Sequence, residues 1–500
     1  MSFKILGISG SLRNARRGRG NQSLVSDLMA LKTSEELDTY LALQAGYHLE
    51  NFLEAGRKEK LPFDQMYANL KKQKGDKGLS NSEVALAAAL WSAKELGAEI
   101  DHVSLSEYFL ETSKKKNLEE FLEKLLSADG FIISTPVYFG DRSSLPQSFL
   151  NMIKNDKGLQ EKLKDKVYAG IAVGAKRNGG QETTLIYQML DMLNCDMLGV
   201  GNDSETTSQY GGTCLAGDIG TMPKDRYGLD TAMGTGRRIA RVVNMLKMAK
   251  DKNLNGKHRI SFWLLQDKNN EGLNYILKLI ASHKDIDARI IDMSSKNVIR
   301  CLACDICPTH IGIDEEYRCI IKNPNDDVKD FHKELLWADA VIPVSYSAVE
   351  RRGVMSNYQR FMERTRYLRR GDYVFSDVIS APIVIDEIGS NENMHIRMIT
   401  SMVRHHTILS KPIIAYKYDN RVVNQPEVEQ DFVRLNEQIR KVAKSRLLAY
   451  SSGVNHLKYK PVGYVLSALK DAEDEKLLKR SEMIEDRIKK TSDLAKERVS

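Results

Sequence analysis

Lys4-Ile5-Leu6-Gly7-Ile8-Ser9-Gly10-Ser11-Leu12-Arg13 is the stretch on which the reading of this chain turns. Its apolar start predicts a strand over Lys4–Ile8. The Gly/Ser turn that follows gathers backbone N–H groups, two hydroxyls and a guanidinium at one spot. Nests of N–H groups and helix N-termini carry partial positive charge and receive phosphates. A strand of this kind ending in such a turn is how a doubly wound parallel sheet begins. Taken alone, the same residues also describe an ordinary tight turn, so the reading depends on its companions.

Working outward, apolar runs of strand length alternate with helical patterns. In the first half, strands are expected at Ile100–Leu105, Gly130–Ser134 and Val167–Val173, and helices at Ser82–Leu96 and Leu118–Ser127. In the second half, Arg259–Leu265, Ala288–Asp292, Ala340–Val344 and Pro382–Asp386 read as strands, and Leu273–Ala281 and Phe331–Leu336 as helices. This alternation argues for parallel βαβ units. Leu125-Leu126-Ser127-Ala128-Asp129-Gly130-Phe131-Ile132 and Leu335-Leu336-Trp337-Ala338-Asp339-Ala340-Val341-Ile342 match without a gap, so the two halves read as a duplication. The expected domains are 1–252 and 257–452, joined through the polar stretch Lys250–Lys257. A charged helical segment, residues 22–79, interrupts the first domain, and residues 453–500 form a helical tail. Within the tail, Leu477, Leu478, Met483, Ile484 and Ile488 form a helical stripe that either docks on its own domain or pairs with a second copy.

Five hundred residues are too many for one core. Hydrophobic content of 42% and charged content of 28% are ordinary for a globular chain in water. No apolar run approaches the roughly 20 residues a membrane helix needs, and the N-terminus lacks a signal-peptide pattern, so a cytoplasmic location is expected. The net charge of +7 is spread among acidic partners, which argues against a nucleic-acid stripe. The densest basic patch, Arg13–Arg19, falls in the phosphate turn. Of six cysteines, Cys301, Cys304, Cys307 and Cys319 crowd one loop, while Cys195 and Cys214 stand apart. In such a chain, crowding points to metal or redox chemistry rather than structural disulfides.

Two further loops follow strands. Ser134-Thr135-Pro136-Val137-Tyr138-Phe139-Gly140 combines a fixed backbone, flat aromatic surface and a glycine that permits close approach. Val173-Gly174-Ala175-Lys176-Arg177-Asn178-Gly179-Gly180-Gln181-Glu182 offers amide donors for the polar edge of a heteroaromatic ring. With Gly-Ile-Ser-Gly-Ser-Leu-Arg, these loops resemble the flavodoxin-like family of NAD(P)H-dependent FMN reductases. The likeness continues through Tyr210-Gly211-Gly212 and Tyr227-Gly228-Leu229-Asp230, so it spans nearly all of residues 1–250. It implies that Ser9, Ser11 and Arg13 grip the FMN phosphate and that Pro136, Val137, Tyr138, Phe139 and Gly140 flank the ring. Asn178, Gly179, Gly180 and Gln181 would meet its polar edge. In the family the phosphate loop closes quickly on a capped helix. Here the cap is either Ser80-Asn81-Ser82, which brings Asn81 and Ser82 to the phosphate, or Asn21-Gln22-Ser23. With the first, residues 14–79 interrupt the loop itself and emerge beside the cofactor, as a lid or as a surface excursion.

The cysteine loop, Cys301-x-x-Cys304-x-x-Cys307 and then Cys319, supplies four soft thiolates of the kind that suit Fe–S clusters and zinc. It resembles the iron–sulfur flavoproteins, and the resemblance implies a 4Fe–4S cluster on these four residues. Zinc, or thiols without a metal, are the alternatives. The gap of eleven residues before Cys319 is longer than in that branch, and His310 is either a substitute ligand or a loop histidine. Where the second half should carry a phosphate turn it has Asp267 and Glu271, which repel phosphate. Its counterpart of the aromatic loop is Val344-Ser345-Tyr346-Ser347-Ala348. The first half in turn has no cysteine over Ser106–Lys114. The halves therefore look complementary, as two tandem flavodoxin-like doubly wound parallel-sheet domains, one for flavin and one for a cluster.

The expected activity is NAD(P)H oxidation through FMN to an unidentified acceptor, with the cluster as a route. The alternatives are an electron carrier without a substrate of its own and a zinc-stapled scaffold. The chemistry belongs to the cofactor, so no catalytic side chain is assigned. His405-His406 and the group Arg364, Arg366, Arg369 and Arg370 read as surface or interface groups, the arginines also suiting an anionic substrate. Expected partners are NAD(P)H and the acceptor, with neither nucleic acid nor membrane, and self-association is left open.

Overall fold

Strand Lys4–Ser9 is buried at five of its six residues, with Ile5, Leu6 and Ile8 fully covered. Burial on both faces is what a parallel strand between helical layers requires. On one face lies helix Asn81–Glu95, whose residues Ser82–Ala93 are all buried. Its alanines let it approach closely, and a Cβ at Gly7 would stand 2.7 Å from Leu90 Cδ1. Phe121, Phe131, Phe149 and Tyr168 fill the other face, with edge contacts between ring centroids at 5.4–6.5 Å.

The computed structural model describes residues 2–13, 22–53, 61–72, 78–109, 117–203, 209–304, 306–307, 312–370, 373–452 and 473–500. They form two compact units, Met1–Asn244 and Met245–Ser500. In the first, Lys4–Ser9 pairs in parallel with Glu99–Ser104 on one side (Lys4 opposite Glu99) and Gly130–Tyr138 on the other (Ser9 opposite Ser134). Gly130–Tyr138 pairs with Val167–Gly174, and that strand with Gly212–Leu215. The spatial order is second, first, third, fourth, fifth, the flavodoxin-like arrangement of a doubly wound α/β sheet. Between the first strand and helix Asn81–Glu95 the described residues include helices Gln22–Ala30, Ser34–Phe52 and Phe63–Lys72.

In the second unit, His258–Lys268 is flanked by Ile286–Asp292 and Ala340–Ser347, followed by Ile383–Glu387 and Ile413–Tyr418, all parallel and in the same spatial order. The turn after its first strand is plugged. The Asp267 carboxylate accepts hydrogen bonds from the N–H groups of Lys268 (2.7 Å), Gly272 (2.7 Å) and Leu273 (3.2 Å). An internal anion thus takes the helix N-terminus that would otherwise receive a phosphate.

The C-terminal helix, Glu473–Arg498, lies on this second unit. Its buried face runs through Met483, Arg487, Thr491 and Ala495, while Leu478 is exposed, which corrects the stripe expected from the sequence. Ala495 packs with Leu254, Ala443 and Leu447, and Arg498 clasps Asp339 through two nitrogens at 2.9 and 2.6 Å. Residues 453–472 of the expected tail lie outside the described residues. No helix among the described residues is long and apolar enough to cross a membrane.

Candidate functional site

At the C-terminal edge of the first unit's sheet, local geometry fastens three segments around the Gly/Ser turn. Gly10 N–H donates to Ser134 O at 2.8 Å, and Ser143 Oγ donates to Gly10 O at 2.7 Å. A side chain at position 10 would meet Pro146 Cγ at 2.4 Å, so only glycine allows this approach. Ser11 Oγ accepts from Arg13 N–H at 3.1 Å, curling the turn on itself. Ser134 Oγ donates to Ser82 O at 2.8 Å, which ties the third strand to the start of helix Asn81–Glu95.

That helix carries a capping box, in which Ser80 Oγ accepts from Glu83 N–H and the Glu83 carboxylate accepts from Ser80 N–H. The amides of Asn81 and Ser82 have no intrahelical partner, so they remain as donors at a positive helix end. Ser80, rather than the Asn21 segment, is therefore the cap of the helix on the sheet. Asn21 lies outside the described residues.

The result is a cleft of about 360 Å³. Ser11 and Arg13 line it with Asn81 and Ser82, beside Pro136, Val137 and Tyr138. Of the residues read from the sequence, these seven come together. Ser9 is fully buried beneath, its Oγ without a partner. Phe139 and Gly140, both at positive φ (53° and 79°), form the tip of a two-residue hairpin in which Val137 faces Arg142 and Tyr138 faces Asp141. Phe139 is fully exposed, so it projects from the cleft instead of lining it. Gly180 (φ 100°) packs on Gly140 at the hairpin's flank, while Asn178, Gly179 and Gly180 are not among the residues that line the cleft. Gln181 departs from expectation. It is buried, and its amide nitrogen donates to Lys176 O (2.8 Å) and Cys214 O (3.1 Å), leaving Oε1 unpartnered.

Sequence reasoning missed His48 and the segment Ala216–Ile219, which also line the cleft. His48 comes from helix Ser34–Phe52. Its approach is fixed by Leu79 N–H donating to Gln44 O (3.0 Å) and by Gly78, where a Cβ would stand 2.4 Å from His48 N. Asn81 Nδ2 donates to Asp218 O at 2.9 Å and closes the rim. Burial, reinforced by the Arg13 charge, pushes the His48 imidazole down to about 4, and its buried Nδ1 has no partner. It is a neutral, apolar-walled group near neutral pH. The signal in the sequence was one histidine at a helical position, indistinguishable there from a surface residue.

In the second unit, Cys319 is buried, Cys301 and Cys307 half-buried and Cys304 exposed. Burial pushes the Cys307 thiol up to about 11, and the neighbouring Cys319, Cys304 and Cys301 add to the shift. Arg366 Nη1 lies 3.7 Å from Cys301 Sγ. The donor chemistry fits a soft metal or cluster. As placed, no three His, Cys, Asp or Glu side chains among the described residues converge closely enough to hold a metal ion. His310 lies outside the described residues. The base of the loop is tied to helix Tyr358–Arg364. Arg364, expected at the surface, is buried with Asp326 in a two-pronged pair at 2.8 and 2.7 Å, and also donates to Ile299 O and the Tyr317 hydroxyl. His405 and His406 are likewise buried rather than exposed.

The sequence matches the NADPH-dependent FMN reductase family over residues 75–206, which carry the Ser80 cap, the Tyr138 hairpin and the Gly180 loop. An iron–sulfur flavoprotein of Methanocaldococcus jannaschii is 33% identical over 181 residues, covering 33% of this chain and 92% of that protein. An NAD(P)H dehydrogenase (quinone) of Methylocella silvestris is 30% identical over 174 residues, covering 31% of this chain and 87% of that protein. Among solved structures, a WrbA-like flavodoxin from Agrobacterium tumefaciens is 21% identical, covering 33% of this chain and 89% of that one, at a TM-score of 0.26.

Proposed function

From the premise that this chain belongs to the NADPH-dependent FMN reductase family, with iron–sulfur flavoproteins among its relatives, we propose where the flavin sits and how this chain's residues serve it. As a member the chain is an oxidoreductase that uses FMN and NAD(P)H. The cleft of about 360 Å³ carries the reading, because it joins an anion-receiving turn to an apolar wall. Its donors and its size suit a phosphorylated planar ring.

In this reading Ser11, Arg13 and the free amides of Asn81 and Ser82 bind the phosphate. Pro136, Val137 and Tyr138 hold one face of the ring, and the glycine-packed loop at Gly180 sets the depth of the polar edge. His48 and Ile219 exclude water from the opposite wall. Bound FMN would supply the redox chemistry, hydride exchange with NAD(P)H and one- or two-electron transfer to an acceptor. The protein's own share is orientation, desolvation and positive charge at the phosphate.

The second unit would hold a 4Fe–4S cluster through Cys301, Cys304, Cys307 and Cys319, as a cytoplasmic one-electron outlet to an acceptor. What supports this is the Cys307 thiol raised beside Cys319, Cys304 and Cys301, and the Asp267 carboxylate that fills the turn where a phosphate would otherwise sit. The two units would then be tandem flavodoxin-like domains with divided labour. Anaerobic purification with iron, sulfide and flavin analysis tests both parts. Stoichiometric FMN with iron and sulfide lost in Cys304→Ser supports the whole reading. Flavin without iron retains the reductase and overturns the cluster, and a colourless protein overturns both.

A further inference from the structure

The segment between the phosphate turn and its capped helix comes back to the turn it interrupts. Helix Ser34–Phe52 opens with a capping box at Thr33 and Glu36, and it buries Leu37, Leu41, Ala45 and His48. Two glycines set how closely it lies. A Cβ at Gly78 would stand 2.6 Å from Gln44 O, and one at Gly220 would stand 2.8 Å from Ala45 O. The later turns of the helix are thereby seated against the chain just before Ser80 and just after Ile219, two residues of the cleft lining.

His48 and Phe52 lie four apart, so they share a helix face. The Arg13 guanidinium carbon stands 5.9 Å from the Phe52 ring centroid, within reach of a cation–π contact. The same charge acts on His48, adding to the burial that holds its imidazole down at about 4. The helix therefore brings a neutral imidazole up to the cation of the phosphate turn.

His48 is 8% exposed and lines the cleft together with Ser11, Arg13, Ser80, Asn81 and Ser82. Neither of its ring nitrogens hydrogen-bonds to a described residue. Nδ1 is sealed from solvent, and a buried orphan N–H costs more than a buried orphan acceptor. The lone pair therefore sits on Nδ1 and the proton on Nε2. That N–H is a donor without an acceptor, in company with the Asn81 and Ser82 amides and the Arg13 guanidinium.

We infer, from the flavin reading of this cleft, that His48 is a further phosphate ligand, donating its Nε2–H to a phosphate oxygen of bound FMN. A phosphate accepts several N–H donors, and bonds to a charged acceptor are the stronger kind. A neutral donor adds such a bond without placing a second cation beside Arg13. The helix of the interrupting segment then supplies a group that neither the turn nor the capped helix carries.

Fluorescence titrations of the flavin-free full chain with FMN and with riboflavin test this, since the two ligands differ only in the phosphate. The ratio of the two Kd values is read within each protein near neutral pH, so any loss of folded chain cancels. His48→Leu is expected to weaken FMN about tenfold or more and to leave riboflavin unchanged. His48→Gln, whose amide offers an N–H, restores most of the FMN affinity. Equal FMN affinity in the wild type and His48→Leu overturns the inference. An equal loss of both ligands overturns it too and makes His48 a wall of the ring. Failure of the flavin reading itself looks different: the wild type then binds FMN and riboflavin alike, and Arg13→Glu changes neither.

Discussion

Gly180 faces Gly140 so closely that a Cβ on residue 180 would stand 2.7 Å from the Gly140 Cα. The hairpin after the third strand and the loop after the fourth are thereby locked into one edge of the cleft. Gly180 also sits at φ 100°, where a side chain is strained in any surroundings. Gly180→Ala is expected to fold and to lose about tenfold or more in FMN affinity, from a strain of about 1–3 kcal/mol. Quenching of flavin fluorescence on titration into the flavin-free protein measures it, and an unchanged Kd rules out a shared edge.

Arg13 is the one described cation lining the first cleft. Arg13→Glu replaces a charge-assisted donor with a repelling carboxylate at the phosphate turn. Roughly a hundredfold weaker FMN binding is expected, at unchanged Tm of the flavin-free chain. Riboflavin, which has no phosphate, should bind both proteins alike. A matching loss with riboflavin would place Arg13 at the ring instead.

The Arg364–Asp326 pair is fully buried and joins helix Tyr358–Arg364 to both ends of the cysteine loop, through Ile299 O and Asp326. Removing one partner strands the other charge, so Arg364→Met should destabilise the chain by about 3–5 kcal/mol in urea unfolding. Arg364→Met combined with Asp326→Leu should recover much of that loss. If the double variant is as unstable as the single one, packing rather than stranded charge sets the cost.

His48 is depressed from an ordinary value of 6.5 to about 4. The unfolded chain therefore takes up this proton at a higher pH than the folded one. The stability held by the neutral buried ring is fully present above pH 6.5 and is lost as pH falls through about 4. In the flavin-free protein, His48→Gln should flatten the fall in Tm across that window and leave Tm at neutral pH nearly unchanged. His405, held lower still, continues the fall toward more acid pH in both proteins.

Much of the frame was legible because its signals are local. Apolar runs of period-independent burial marked strands such as Lys4–Ser9 and Val167–Gly174. Ser80 and Glu83 spelled a capping box, and Asp267 and Glu271 announced a turn hostile to phosphate. Gln181 was harder. Its side chain looked available to a ligand, yet the carbonyls that claim it, Lys176 O and Cys214 O, come partly from a segment 33 residues away. Arg364 was misread for a similar reason, since the groups that bury it, Asp326 and Ile299 O, come from segments 38 and 65 residues away.

The sequence by itself determined the strand and turn chemistry: where glycine must stand, which helix is capped, and which loop carries thiols. These follow from φ preferences, side-chain hydrogen bonds to nearby backbone, and spacing along one segment. Only the tertiary structure decided that His48 walls the first cleft, that Arg364 is buried against Asp326, and that Arg366, Arg369, Arg404 and His405 share a second cleft. Burial and charge at those positions are sums over elements far apart in the chain, and no local pattern carries that sum.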